Sequence, residues 1–244
     1  MTSGVLAAKP PASLRDDLIG AARTLSVLTL VGAACGAFVV GILGRLAMLL
    51  LAALNPDATG VTSDDGFVMG QFTLSGSAQL ALAGMEFGVI GAAFYVAVRG
   101  LLIGPPWFRL LSISLGPAVV TGAIVVHTDG VDFQILEPVW LATALFIALP
   151  AAYVALLHLL GERVLDRWRP PNTLVVIGFA PWVLLFPVTL ALAAGFTSLR
   201  TLRRSDTSRA LLISPWPAWI LRAGLAVLFV AALVDLRNDL VDLS

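Results

Sequence analysis

Two long apolar runs, Ser26–Leu54 and Ala78–Ile103, stand either side of a polar stretch, Asn55–Ser77. About 20 consecutive apolar residues suffice to cross the hydrocarbon core as a helix, and lipid offers the backbone no outside hydrogen-bond partner. The two runs therefore read as a transmembrane helical hairpin. Each carries one charge far from its ends, Arg45 in GILGRLAM and Glu86 in LAGMEFG. Arg45 lies nine residues before Leu54, and Glu86 lies eight after Ala78. That count predicts an intramembrane ion pair, Arg45 with Glu86, at one depth across the hairpin. Small residues favour the close approach it needs: Gly32/Gly36, then the ladder Ala37, Gly41, Arg45, and Gly84/Gly88 in the second run. Gln79 lies two turns before Glu86 on the same helical face.

The rest of the composition agrees with lipid as the main solvent. Of 244 residues, 59% are hydrophobic and 12% charged, against about 25% charged in soluble domains. The formal net charge is zero, so no global attraction to nucleic acid is expected. Cys35 is the single cysteine, which rules out an intramolecular disulfide, and no Cys/His cluster has zinc spacing. No metal or cofactor is expected.

The expected fold is an all-α polytopic transmembrane helix bundle of about six spans. Residues 1–24 form a cytoplasmic N-terminal tail and interfacial segment. A single transmembrane domain covers 25–235, with spans at about 25–54, 78–103, 107–126, 138–160, 173–195 and 216–235. Residues 236–244 are a C-terminal tail. GFVMGQFTL is rich in β-favouring residues, so a short extracytoplasmic β-like segment is expected near 66–74. Five tryptophans, 107, 140, 168, 216 and 219, fall at span ends as an aromatic belt, whereas Trp182 is expected inside the bundle.

Orientation follows from charge. The N-terminal segment, the 99–109 turn and the 161–172 loop hold Arg or Lys, while the loops 55–77 and 127–137 hold only carboxylates. The positive-inside rule then puts the protein in the cytoplasmic membrane with its N-terminus cytoplasmic. Six simple crossings leave the four arginines of 200–209 on the wrong side. If the segment 173–195, broken by Pro181 and Pro187, enters and returns on one side, the violation disappears.

Several residues are candidates for chemistry. An ionisable group inside a span is a functional-site hypothesis by default, which singles out Arg45 and Glu86 as a relay or ligand contact, or as a structural pair fixing helix docking. Asp64, Asp65, His127, Asp129 and Asp132 form a second candidate, an outer-face polar cluster. Their spacing matches no calcium or zinc motif. His158 reads as a packed or interfacial histidine. Soluble-enzyme signatures such as G-x-S-x-G, H-E-x-x-H, a Walker loop or a Rossmann fingerprint are absent.

The runs GRLAMLLLAALNPDATGVTSDDGFVMGQFTLSG and DGVDFQILEPVWLATALFIALP resemble segments of membrane proteins from high-GC Gram-positive bacteria, and no functional residue follows from that. The leading expectation is a non-enzymatic scaffold or accessory subunit. Its partners are the lipid bilayer and other membrane proteins or copies of itself. A small-solute or proton transporter using Arg45 and Glu86 is the alternative, and a membrane-embedded enzyme with the outer His/Asp site the third.

Overall fold

The computed structural model describes residues 14–63, 66, 68–126, 133, 135–168, 170–184, 194–195, 198 and 215–242. Helix α1 (Leu14–Gly36) runs through a π-helical turn (Ala37–Leu43) directly into α2 (Gly44–Leu54). Residues 15–24, within the expected N-terminal tail and interfacial segment, are helical and continuous with the first span. Its 41 residues measure about 60 Å at 1.5 Å per residue, twice the hydrocarbon thickness, so it must tilt or project.

After a 3-10 turn (Pro56–Ala58) the chain folds back to α3 (Leu74–Val98). Thr73 opens α3: its hydroxyl accepts from the Gly76 amide at 3.1 Å, satisfying one of the orphan donors of the first turn. The helices that follow are α4 (Pro106–Val125), α5 (Val139–Arg167), α6 (Asn172–Leu184) and α7 (Trp216–Asp242). Pro106 sits in the first turn of α4, where its missing amide costs nothing.

Among the described residues, regular structure is helical. The segment expected to be β-like contributes one antiparallel bridge, Thr62 with Val68. The Met69 amide donates to Val61 O at 2.9 Å and the Gly60 amide to Met69 O at 3.0 Å. The pairing joins residues 60–62 to Val68 and Met69, inside the expected 66–74 segment, while Leu74 already belongs to α3.

Glycines set the hairpin register. Gly32 lies against Gly88, Gly36 against Gly84 and Gly41 against Ala81, so a Cβ on any of these glycines would overlap the facing helix. The spacing of the first three is four residues, then five. An α-helix would rotate Gly41 off the contact. The π turn, in which the Gly44 amide reaches Val39 O, absorbs the extra residue and keeps Gly41 on it.

Helix α6 runs along α1 in the same direction. Gly178 touches Ser26, and the buried Trp182 donates from Nε1 to Thr29 Oγ1 at 2.8 Å. The expectation that Trp182 packs inside is met. Helix α5 crosses both α1 and α4, and Tyr153 donates from its hydroxyl to the Gly88 carbonyl at 2.8 Å. Helix α7 lies on α4, with Leu236 beside Gly122.

Five of these elements are long and apolar enough to cross a membrane, namely α1–α2, α3, α4, α5 and α7, while α6 is shorter. Residues 185–193 of the expected span 173–195 lie outside the described residues. Helix α6 starts at the face where α1 starts, since Arg23 reaches Pro170 O at 3.5 Å. Helix α7 starts at the same face: Arg222 donates from Nε to Leu101 O at 2.9 Å, just after α3 ends.

Candidate functional site

Arg45 follows Gly41 by one turn, so the π turn that holds Gly41 on α3 also brings Arg45 to that side. Its side chain is buried, 7% exposed. The guanidinium does not meet a carboxylate. Nη2 donates to the Gln71 carbonyl, and Cζ lies 5.6 Å from the centroid of the Phe72 ring, within cation–π range. Nε is buried without a protein partner. Beside it is a cavity of about 40 Å³ with Met48, Met69, Gln71 and Phe146 among its walls. That volume admits about one to three waters and no substrate of ordinary size.

Glu86 is elsewhere, and the expected Arg45–Glu86 ion pair is not formed. Helical residues two apart point about 200° from each other. Gly84 and Gly88 face α1, so Glu86 between them faces away, and it is exposed. The heights differ as well. The glycine register puts Glu86 level with residues 34–35 of α1 and Arg45 level with residues 76–77 of α3. The offset is about ten residues, or roughly 15 Å. Counting from the loop assumed that both helices end level. Instead α2 overshoots α3, and the loop descends along it until Gln71 reaches Arg45. Glu86 makes no hydrogen bond or ion pair among the described residues.

A connected polar group joins α3 to α5 at the face where α1 starts. The Tyr95 hydroxyl donates to Glu162 Oε1 at 2.6 Å and lies 2.7 Å from His158 Nδ1. One hydroxyl hydrogen cannot serve both acceptors. With Tyr95 donating to Glu162, we assign the hydrogen on Nδ1 of His158, which then donates to the Tyr95 oxygen. Arg99 Nη2 closes the group on Glu162 Oε2 at 3.4 Å. With a neutral imidazole the cluster carries no net charge. It cross-braces two helices. The sequence reads His158 as packed or interfacial and does not by itself single out Tyr95 or Glu162. The available signal was a polar pair at four-residue spacing on each helix, Tyr95/Arg99 and His158/Glu162.

At the opposite face Asn55 ties the two acidic loops together. Its Nδ2 donates to Leu51 O at 2.8 Å and to Glu137 O at 2.9 Å, and the Glu137 amide donates back to Oδ1 at 2.8 Å. The flanks of the loops therefore meet. Asp64, Asp65, His127, Asp129 and Asp132 lie outside the described residues, as do the arginines of 200–209. Among the described residues no group of His, Cys, Asp and Glu could hold a metal ion.

Comparison with known protein families, with curated protein sequences and with solved structures finds no match.

Proposed function

We propose that this chain is a non-enzymatic scaffold or accessory subunit of a membrane assembly. The observation that carries the reading is where the polar groups of the spans point. Tyr153, Trp182, Tyr95 and Arg45 are all consumed by bonds between elements of the chain itself. Glu86, at the middle of α3, is instead exposed and makes no hydrogen bond or ion pair among the described residues. An acidic residue at the centre of a spanning helix costs about 3 kcal/mol to insert, and such residues normally face a protein neighbour. The broad apolar exposure of α7 points the same way, since only Leu236 of its 27 residues is buried.

The membrane in question is the cytoplasmic one, with the α1 start face on the cytoplasmic side by the positive-inside rule. Five crossings fit the helix ends, with α6 entering from that face and the chain returning to it before α7. The 200–209 arginines then fall on the same side as the other basic segments. Transport through an Arg45–Glu86 path is disfavoured by the height offset and by the small size of the cavity at Arg45.

Isolation from its native membrane in lipid nanodiscs tests the proposal. A stoichiometric integral membrane partner or a defined homo-oligomer is expected. A lone monomer would overturn it, as would proton flux in liposomes that Glu86→Gln abolishes.

A further inference from the structure

Glu86 sits at the midpoint of α3, twelve residues from Leu74 and twelve from Val98. At 1.5 Å per residue it is about 18 Å from either end, far beyond the reach of a glutamate side chain to headgroups. Its face is ordered. Gln79, Glu86 and Ala93 recur every seven residues, with Leu82 and Ile90 beside them, and Gln79, Leu82, Glu86 and Ile90 are exposed. A seven-residue repeat is the seam on which two helices pack with a left-handed crossing. Small side chains at Ala83, Ala93 and Ala97 let a second backbone come close.

We infer that this face of α3 receives a transmembrane helix of another protein that carries a basic side chain at mid-membrane, opposite Glu86. The inference rests on the accessory-subunit reading and names its partner's chemistry. Charge complementarity selects the occupant. A carboxylate in lipid is satisfied by a cation or by strong hydrogen-bond donors. Among the described residues, a second copy of this chain offers no cation level with Glu86. Among the described residues its one basic side chain deep in a span is Arg45, which is buried, bonded to Gln71 and roughly 15 Å away in height. Arg99, Arg109 and Arg222 lie at the membrane face, around the turn between α3 and α4. Symmetric packing would therefore set Glu86 against Glu86.

The test uses the full chain in liposomes with a donor fluorophore, and an acceptor-labelled polyleucine helix bearing a central Arg. A helix with Leu at that position is the control. Energy transfer to the Arg helix should report association at least about tenfold tighter than to the Leu helix, equivalent to about 1.4 kcal/mol. Glu86→Gln should bring the two to the same level. Since Glu86 is exposed and unpaired, this variant should keep the native melting temperature, measured on the same sample.

Equal binding of the Arg and Leu helices by the native chain overturns the inference, and so does a preference that survives Glu86→Gln. Self-association that Glu86→Gln abolishes and the Arg helix does not compete with would assign the face to a second copy instead. If a partner from native membranes still co-purifies with the Glu86→Gln chain, the accessory reading stands and only the face is wrong.

Discussion

Arg45 and Glu86 carry opposite charges into the same hairpin and meet opposite fates. Arg45 is wrapped by a loop carbonyl and an aromatic ring, while Glu86 points outward. A guanidinium donating to a carbonyl contributes about 1.5–3 kcal/mol where water is excluded. Arg45→Met removes that clamp and also the cost of burying the charge, so its net effect on stability is expected to stay within about 2 kcal/mol. Its effect on the loop should be larger. Amide exchange at the Met69 and Gly60 bonds should quicken several-fold, while the α1–α3 contact keeps its protection. Unchanged exchange in 60–71 would show that Gln71 is held by something else. The Tyr95 group behaves differently, because removing the hydroxyl leaves two buried or half-buried groups without it. Tyr95→Phe is expected to cost about 1–3 kcal/mol. A double-mutant cycle with Glu162→Gln should reveal a coupling of at least about 0.5 kcal/mol, and additive effects would deny the bond its role.

At the scale of elements, the glycine contact between α1 and α3 is the joint of the bundle. Where lipid is as apolar as leucine, helices associate through close packing rather than through the hydrophobic effect. A side chain at Gly36 or Gly84 would strike backbone, which cannot yield as a flexible side chain does. Gly84→Val should therefore lower stability by about 1–3 kcal/mol or more, read as a fall in melting temperature in nanodiscs. Gly100→Ala, where a Cβ meets nothing within 4 Å, is the matched control and should change little. The π turn belongs to the same joint. It lets a four-then-five glycine spacing keep one face, and it carries Arg45 round with it.

Across the whole molecule, among the described residues, Arg23, Arg99, Arg109 and Arg222 gather where α1 starts, with Glu162 paired to Arg99 there, and Asp57 and Glu137 lie at the opposite face, where Asn55 ties the loop flanks together. The proposed threading has an odd number of crossings and puts the end of α7 opposite its beginning. Cysteine labelling checks this, because the single native thiol, Cys35, is buried. Ser205→Cys should react with an impermeant maleimide from the same side as Arg163→Cys. Asp242→Cys should react from the other side. Labelling of residue 205 and residue 242 from one side would mean that α7 does not cross, and labelling of residue 205 opposite residue 163 would restore six crossings.

Much of this architecture was legible from residue order alone. Apolar run length specified the spanning helices, because lipid admits few backbone solutions. Small residues at four-residue spacing marked the surfaces that meet. The same glycines also held the clue against the ion pair, since a residue midway between two contact glycines must look away from the contact. What sequence could not supply was relative height. The loop folds back along α2 rather than capping both helices at one level, and the π turn adds a residue that no apolar pattern announces. Both depend on how the hairpin packs as a solid, where one carbonyl, that of Gln71, outcompetes a distant carboxylate for Arg45. The face at which α7 starts was likewise decided only when Arg222 and Leu101 were brought together in three dimensions.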